Sequence, residues 1–384
     1  MKIVLAWILA LSLGACATPA PPLEPLQLFN DAAFTPIAQS PTVDEIFAVS
    51  PAIRNFLSSP DVMRELRSKG AQRGLFEVLR DKSGLRIEYD SAMTRTAAQA
   101  FDAKAGNCLS LVIMTAAMAN ELNMPVYFQE VHVDQAWTRF AGLYFVAGHV
   151  NISLARRPIE HDIRFDGSNE FVIDFLPPAD IRNQRTRRIT QATIAAMFMN
   201  NRAAEALAEG QTDKAYWWAR EALTQAPDFI PAYNTLGVVY LRKGDLQRAQ
   251  TAFETTLKSE PMQLIALSNL ARVMELKGDV ARAAQLRAEL HRLEPHPPYA
   301  YFDQGVSAMN ANNYLVARDL FEKELKRDPY NAEFHFWQAV ANYRLGNLKD
   351  ATHHMGTAVQ TATTFKQHDL YAAKLEKLKA LNRH

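Results

Sequence analysis

Excess charge of one sign is missing from this sequence, and so are long apolar segments beyond its first residues. The 42 lysines and arginines nearly balance the 41 aspartates and glutamates, which leaves a formal charge of +1. Binding to nucleic acid generally needs a basic excess, so the composition argues against a nucleic-acid partner. No segment after the N-terminus approaches the roughly 20 apolar residues that cross a bilayer, which predicts a water-soluble mature chain.

Several kinds of chemical motif are also lacking. The chain has no glycine-rich loop that would cradle a phosphate and no Gly-x-Ser-x-Gly elbow. His132, His149 and His161 could be imagined as metal ligands, but they lack the close helical or Cys-x-x-Cys spacing of a zinc site. The sequence therefore predicts no metal and no cofactor.

Residues 1–15 have the pattern of an export signal. Lys2 supplies a short positive region, Ile3 to Leu13 is almost continuously apolar, and small residues precede a cysteine. Leu13-Gly14-Ala15-Cys16 resembles the lipobox of bacterial lipoproteins. The resemblance implies cleavage before Cys16, lipidation of that cysteine, and a mature chain anchored to the outer membrane and facing the periplasm. The alternatives are an ordinary secretory signal cut near Ala17 and a poor transmembrane helix.

Residues 16–42 are rich in proline and have little periodic hydrophobicity. Six prolines lie between Ala17 and Pro41. Such a composition favours an extended chain that spans up to about 3 Å per residue. The segment is therefore predicted to be a tether that holds the folded part clear of the membrane.

A 34-residue period runs through the C-terminal half of the chain. Prolines recur at this spacing, as do two columns of small residues and one column of glycine or asparagine. The columns are Pro227, Pro261, Pro295 and Pro329; Ala215, Ala249, Ala283, Ala317 and Ala351; Ala203, Gly237, Ala271, Gly305 and Ala339; and Gly210, Gly244, Gly278, Asn312 and Gly346. Small residues let helices approach, glycine or asparagine ends a helix in the left-handed conformation, and proline stops the following helix. The pattern predicts a solenoid of helix pairs.

This pattern resembles the tetratricopeptide repeat. The second unit matches the family signature best, with Tyr233, Leu236, Gly237, Tyr240, Ala249, Phe253 and Pro261 at the signature positions. Five units are predicted across residues 196–364, and residues 365–384 are predicted to form a capping helix. The resemblance implies that the array binds a protein or peptide partner.

The resemblance also implies that certain positions of the first helices line the concave face. In the fourth and fifth units these positions are apolar: Tyr299, Phe302, Val306, Met309, Phe336, Val340 and Tyr343. In the third unit they are Ser268, Arg272 and Glu275, so the groove changes character along its length. The apolar part is expected either to hold an external ligand or to pack against the protein itself.

Residues 43–181 have a different periodicity and are predicted to form an α+β domain, with residues 182–195 as a linker. Helical patterns around Ile46 to Leu57 and Val62 to Leu79 precede Leu109 to Leu122, which is apolar on nearly every side, as a buried helix is. Runs rich in β-branched and aromatic residues follow and are typical of strands. These runs are Val126 to Val133, Leu143 to Val146, His149 to Leu154 and Phe171 to Leu176.

Cys108 is the thiol with the most informative position. With Cys16 predicted to be lipidated, no intrachain disulfide can form, so Cys108 is either a buried core residue or a reactive one. Gly106 and Asn107 make a turn, and Cys108 then begins the apolar helix. The positive end of the helix dipole at this place favours a thiolate.

Gly-Asn-Cys begins a predicted helix, a strand with a His-Val pair follows, and a later strand carries an aspartate. This order resembles the transglutaminase-like superfamily of papain-like cysteine enzymes. The resemblance covers roughly Thr96 to Pro177. It implies that Cys108 is a nucleophile, that His149 takes its proton, and that Asp174 orients the imidazole.

The chain departs from that family in two respects. The gap between His149 and Asp174 is long and holds a polar stretch, so Asp162 or Asp166 could supply the third member instead of Asp174. No aromatic residue follows Cys108 directly, which puts cross-linking of the animal transglutaminase kind in doubt.

Two hypotheses of different classes follow from the sequence. The first is an envelope-anchored cysteine hydrolase or acyl-transfer enzyme that acts on an amide, with the repeats binding its substrate or partner. The second is an adaptor that keeps the transglutaminase-like fold without catalysis and organises an envelope assembly. A chaperone-like lipoprotein for exported polysaccharide or surface protein is a third, intermediate possibility.

Overall fold

The computed structural model describes residues 25–37, 41–80, 85–90, 93–132, 137–140, 143–146, 149–155, 170–175, 185–295, 299–329, 331–362 and 365–381. Cys16 and the predicted signal lie outside these residues. No helix in the described part of the chain combines the length and the apolar character that a membrane span requires.

The first described segment does not behave as an extended tether. Pro25–Leu28 and Asp31–Ala33 each form a 3-10 helix. Leu28 and Phe34 are buried in the same apolar cluster as the first repeats. The tether prediction is therefore wrong for this part of residues 16–42, because apolar side chains spaced along a proline-rich segment find a partner surface far away in the sequence.

Among the described residues, six α-helices precede and flank the first strands of the N-terminal domain. They are α1 (Val43–Ile46), α2 (Pro51–Leu57), α3 (Pro60–Lys69), α4 (Ala71–Arg80), α5 (Ala97–Ala103) and α6 (Cys108–Glu121). Both helical patterns read from the sequence are interrupted. Pro51 can start a helix but not continue one, so α2 begins there after a Ser50 cap. Gly70 adopts a φ of 82° between α3 and α4, a conformation that ends the first of them.

The strands form three small sheets in the part of the chain that the structure describes. Their bounds are β1 (Glu88–Tyr89), β2 (Ala105–Gly106), β3 (Val126–His132), β4 (Trp137–Phe140), β5 (Leu143–Val146), β6 (His149–Ala155), β7 (Glu170–Ile173) and β8 (Arg185–Ile189). The main sheet has the order β7-β6-β3-β8 with antiparallel neighbours. Strands β1 and β2 pair in parallel, and β4 and β5 pair antiparallel.

Strand β8 replaces the linker predicted at residues 182–195. Its backbone pairs with β3, and Arg187 of β8 forms an ion pair with Glu130 of β3 at 2.8 Å. The guanidinium of Arg188 lies 4.3 Å from the centre of the Tyr127 ring. Arg185–Ile189, which contains three arginines, is thus the edge strand of the main sheet. The next helix begins at Gln191.

Ten helices in the described residues form the five helix pairs that the 34-residue period predicts. They are α7 (Gln191–Ala208), α8 (Thr212–Gln225), α9 (Ile230–Lys243), α10 (Leu246–Ser259), α11 (Leu264–Leu276), α12 (Val280–Leu293), α13 (Ala300–Asn310), α14 (Tyr314–Arg327), α15 (Ala332–Arg344) and α16 (Leu348–Thr361). A last helix, α17 (Phe365–Leu381), packs against α16. The array is an all-helical solenoid of the tetratricopeptide-repeat kind.

The columns of the period have the structural roles expected of them. The glycine and asparagine column has positive φ throughout, from 58° at Asn312 to 84° at Gly244. The alanines of the column that begins with Ala215 are almost completely buried. At Gly237 and Gly305, a β-carbon would come within 2.5 Å of the rings of Phe253 and Phe321, so only glycine lets the paired helices approach this closely.

The apolar interior divides the chain differently from the predicted domains. One buried cluster runs without interruption from Leu28 through the N-terminal domain and the first three repeats to Leu286. Helix α7 lies inside this cluster, in contact with α6 and with α8. The fourth repeat is centred on a separate cluster around Phe302 and Phe321, and the fifth repeat and α17 form a third cluster.

Gly237 provides a direct test of the helix packing. Gly237→Ala should lower the free energy of unfolding by about 1–3 kcal/mol, because the new methyl group overlaps the Phe253 ring. Gly356→Ala is the matched control: it is also a helical glycine, and its β-carbon would meet nothing within 4 Å. The control should gain about 0.5–1 kcal/mol from helix propensity. Denaturant unfolding followed by circular dichroism measures Gly237→Ala in the transition of the first three repeats and Gly356→Ala in that of the last two. Equal effects would contradict the packing described here.

Candidate functional site

Cys108 is the first residue of α6, and a hydrogen-bonded turn fixes its place. The side chain of Asn107 caps the helix by accepting a hydrogen bond from the backbone N–H of Ser110 at 2.9 Å. Asn107 also donates to the hydroxyl of Thr94 at 2.9 Å, and the backbone N–H of Arg95 donates to the hydroxyl of Ser110 at 2.8 Å. The Cys108 thiol is half-buried, at the end of the helix where backbone N–H groups have no intrahelical partner.

Gly106 lets this turn close tightly. A β-carbon at Gly106 would lie 2.7 Å from the β-carbon of Ser110. The residue is also paired with Tyr89 in the two-residue ladder of β1 and β2. The Gly-Asn-Cys sequence is therefore explained residue by residue: glycine allows the close approach, asparagine caps the helix, and the cysteine stands at its first turn.

His149 begins β6 and is hydrogen-bonded to Asp174, which directly follows β7. The Nε2 atom of His149 lies 2.8 Å from each carboxylate oxygen of Asp174. Both side chains are almost completely buried, with exposed fractions of 3% and 5%. The pairing of Ile152 with Ile173 brings Asp174 opposite Asn151, so His149, two residues along β6 on the same face, lies diagonally across from Asp174.

The second ring nitrogen of His149 is turned away from Asp174. Its Nδ1 atom is buried and has no hydrogen bond of regular geometry. Burial lowers the pKa of His149. The hydrogen bond to Asp174 and the neighbouring thiol of Cys108 raise it by more than burial lowers it, so the pKa is about 9. The carboxylate and the thiol thus both favour the charged imidazole. Because Nε2 bonds to Asp174, Nδ1 is the nitrogen left to exchange a proton with Cys108.

Asn151 is a member of this cluster that the sequence analysis did not single out. Its amide Nδ2 donates to Asp174 Oδ2 at 3.1 Å. It stands two residues after His149 on the same strand, so both side chains point to the same face of the sheet. That alternation was the signal in the sequence: Asn151 is a second polar residue two positions from a candidate base, on a strand whose opposite face carries Val150, Ile152 and Leu154.

Other candidate ligands and acids fall outside the described residues. Asp162, Asp166 and His161 belong to the stretch of residues 156–169, which the structure does not describe, and nothing is described of the His132 side chain. Within the described part of the chain, no group of three or more histidine, cysteine, aspartate or glutamate residues is arranged to hold a metal ion.

The predicted apolar groove is largely filled by contacts within the array. Tyr299, Phe302 and Met309 are buried with exposed fractions below 10%. The Tyr299 ring contacts the rings of Phe302 and Phe334, with centroids 5.7 and 5.0 Å away. Phe336 stacks on Tyr371 of α17 at 5.0 Å. Each of these aromatics therefore meets another part of the array.

The remaining groove positions are more open. Val306 and Val340 are partly buried against the cluster of the fourth repeat. Tyr343 is 45% exposed. In the third repeat Ser268, Arg272 and Glu275 are all exposed, and Glu275 forms an ion pair with Arg287 at 2.5 Å.

Comparison with protein families matches one model, described as the tetratricopeptide repeat, at residues 234–295 and 302–352. This finding agrees with the helix pairs described above and places such repeats in the C-terminal half. Repeats of this kind suggest interaction with other proteins. No curated protein matches the chain.

Several solved structures resemble the repeat region. A thermophilic repeat protein of Thermus thermophilus is 19% identical, with a TM-score of 0.29, and the match covers 47% of this chain and 99% of that one. MamA of Desulfovibrio magneticus is 20% identical, with a TM-score of 0.26, over 44% of this chain and 94% of that one. YrrB, a repeat protein described as having an unusual peptide-binding site, is 20% identical, with a TM-score of 0.26, over 47% and 92%.

Asp174→Asn tests the electrostatics of the site. Without the carboxylate, the hydrogen bond that most favours the charged imidazole is lost while burial still opposes protonation, so the pKa of His149 should fall below its wild-type value of about 9. The folded-state pKa of the wild type lies above the unfolded one, so the contribution of His149 to stability is complete below pH 6.5 and is lost as the pH rises through about 9.

The pKa is measured by following the imidazole carbon resonance through an NMR titration. Ser153→Ala, on the same strand, is the control and should leave the pKa of His149 near its wild-type value. An unchanged pKa in Asp174→Asn would show that the carboxylate does not act on the imidazole.

Proposed function

We propose that this chain is a cysteine hydrolase or acyl-transfer enzyme that acts on an amide, and that its repeats bind a protein substrate or partner. One observation carries the proposal: the His149 imidazole is hydrogen-bonded to the Asp174 carboxylate at 2.8 Å, and the Cys108 thiol at the head of a buried helix is its other electrostatic neighbour. A base held between a nucleophile and an orienting acid is the arrangement that activates a thiol.

The proposed reaction has two halves. The thiol proton first moves to His149 Nδ1, because the raised pKa of His149, about 9, favours the imidazolium. The Cys108 sulfur then attacks the carbonyl carbon of an amide. His149 then returns that proton to the departing amine as the carbon–nitrogen bond breaks, which leaves a thioester on Cys108. Water or a second amine attacks the thioester, His149 takes a proton from it, and the sulfur leaves.

The other residues of the site support these steps. Asp174 stabilises the charged imidazolium and holds the ring through Nε2. Asn151 donates to Asp174 and so limits the positions of the carboxylate. The backbone N–H of Cys108, in the first turn of α6, is the natural donor to the carbonyl oxygen that becomes negative during the attack.

We propose a transglutaminase-like fold for residues 43–181. The support is the order of its elements: a capped helix with the cysteine at its head, then an antiparallel sheet that carries the histidine and, after the neighbouring strand, the aspartate. The family model matches residues of the repeats, so this assignment depends on the geometry of the domain itself.

The adaptor remains the second candidate, and a different observation favours it. His149 and Asp174 are almost completely buried, so a substrate would reach the site through Cys108 alone. An adaptor that kept Cys108, His149 and Asp174 for stability, and used its repeats to organise an envelope assembly, would show the same hydrogen bonds. The two candidates differ in one respect: Cys108→Ala abolishes the function of the enzyme and leaves that of the adaptor intact.

Thiol reactivity tests the proposed role of His149. In a chain with Cys16→Ser, iodoacetamide should alkylate Cys108 at pH 7, and His149→Ala should slow this reaction by about tenfold or more, because the base is gone. Ser153→Ala, which leaves His149 and Asp174 in place, should react at the wild-type rate. Rates are measured by mass spectrometry of the intact chain, and equal rates in all three chains would refute the proposed activation.

Envelope anchoring is a separate part of the proposal. Cells that express the chain are grown with an alkyne-labelled fatty acid. If the lipobox at Leu13 to Cys16 is used, the protein should carry the label and be found in the membrane fraction. Cys16→Ala should lose both. A wild-type chain that carries no label would contradict anchoring, whereas the proposed chemistry of Cys108 would be unaffected.

A further inference from the structure

The segment Leu28 to Thr35 lies on the first two repeats, almost 200 residues away along the chain. It contacts the second helix of the first repeat, α8, and the C-terminal end of α9. This surface differs from the predicted groove, which is formed by first helices of the fourth and fifth repeats. The contact is therefore a place, separate from that groove, where the array holds a distant segment of the chain.

Four side chains of the segment contact the repeats. The centre of the Phe29 ring lies 5.1 Å from the guanidinium of Arg220, and the other three form a spaced pattern. Leu28 and Phe34 are buried with exposed fractions of 6% and 4%, and Asp31 forms an ion pair with Arg220 at 2.9 Å. They are spaced three residues apart: Leu28 ends the first short 3-10 helix, Asp31 begins the second, and Phe34 directly follows it. The segment thus presents the pattern Leu-x-x-Asp-x-x-Phe to the array.

The Phe34 ring has the closest contact. It stacks on the Tyr216 ring with centroids 3.8 Å apart and planes 2° from parallel. The ammonium of Lys243 lies 5.0 Å from its centre, and Tyr240 closes the other side at 5.8 Å. The pocket is therefore built for a flat aromatic side chain.

The backbone of the segment is recognised as well. The Tyr216 hydroxyl accepts from the Asn30 N–H at 2.8 Å and donates to the Asp31 carboxylate at 2.6 Å. The Tyr240 hydroxyl donates to the Leu28 carbonyl. Hydrogen bonds to the main chain together with pockets for spaced side chains are how proteins bind short peptides.

Thr35 is held at both its backbone groups. Its N–H donates to Asp213 at 3.2 Å, and its carbonyl accepts from the indole N–H of Trp217 at 2.8 Å. Asp213 is itself paired with Lys243 at 2.7 Å, so the charges that border the Phe34 pocket are neutralised within the site.

The other repeats provide an internal comparison. The later units form the same helix pair without Tyr216, Trp217 and Arg220, since the equivalent positions in those units have unrelated residues. They are Gln250, Ala284, Arg318 and Thr352 for Tyr216; Thr251, Gln285, Asp319 and His353 for Trp217; and Glu254, Ala288, Glu322 and Gly356 for Arg220. The aromatic and basic residues of the first unit therefore serve the segment and not the helix pair.

We propose that α8 and the end of α9 form a peptide-binding site specific for the pattern Leu-x-x-Asp-x-x-Phe, which the chain occupies with its own residues Leu28 to Thr35. The site accepts the same segment from outside when its own copy is displaced. A partner recognised here has an acidic residue between a leucine and an aromatic residue. This inference is independent of the chemistry of Cys108.

The test uses the full chain in detergent and a fluorescein-labelled synthetic peptide of residues 25–37. In the Asp31→Ala/Phe34→Ala chain the internal segment is weakened, so the peptide should bind and raise the fluorescence anisotropy. The wild-type chain should bind it at least about 100-fold more weakly, because a tethered segment competes at an effective concentration on the order of millimolar. A peptide with Phe34→Ala should bind the double variant at least about tenfold more weakly than the wild-type peptide, because it lacks the stacked ring.

Two results would overturn the proposal. One is a folded double variant, by circular dichroism, that does not bind the peptide; the other is equal binding of both peptides, which would show unspecific apolar adsorption.

Hydrogen exchange of the wild-type chain keeps the proposal testable if the double variant does not fold. The amides of Asn30 and Thr35 should exchange faster than those of α9, because the segment opens while the repeats stay folded. Exchange of these amides only at the rate of α9 would show that the segment is a fixed part of the core.

Discussion

The burial of α7 on two sides is the constraint on which the rest of the structure depends. Its side chains Ile194 to Met199 are all buried, as are Ala203, Ala206 and Leu207. The helix is at once the first helix of the array and a wall of the N-terminal domain, since it contacts both α6 and α8. An amphipathic helix could serve only one of these neighbours; a helix apolar around most of its circumference holds the two halves together.

A polar connection accompanies this apolar one. Glu205 of α7 accepts the backbone N–H of Thr94 at 2.7 Å, and the hydroxyl of Thr94 accepts from Asn107, the residue that caps the helix of Cys108. Burial raises the pKa of Glu205, although Arg202 and the Thr94 hydrogen bonds oppose the rise. The turn that positions the candidate nucleophile is therefore hydrogen-bonded to the first repeat, so the array and the site are directly connected.

The repeats could be predicted from the sequence because their determinants are local and recur. Gly244 ends a helix, and Gly237 leaves room for the neighbouring Phe253 ring. Small or helix-ending residues recur at these two positions every 34 residues. The Gly-Asn-Cys turn is equally local. Contacts between distant segments gave no such signal: nothing near Phe34 indicates that its ring stacks on Tyr216.

Two other elements show the same limit. Arg185 to Ile189 has no apolar face of its own and becomes a strand only because β3 offers an unpaired edge. Asn151 appeared to be an ordinary strand residue, and its importance depends on where Asp174 comes to lie across the sheet. In each case the missing information was the identity of a partner that the chain reaches only after folding.

The division of the apolar interior after the third repeat has a consequence for how the chain unfolds. A solenoid is stabilised by contacts between neighbouring units, and between Leu293 and Tyr299 the described clusters are separate. The ion pair between Glu294 and Arg327 crosses this junction, but a partly exposed pair of this kind contributes little. Cooperativity is therefore expected to end here: the last two repeats can melt and refold as a block of their own, while the block with the candidate site stays native.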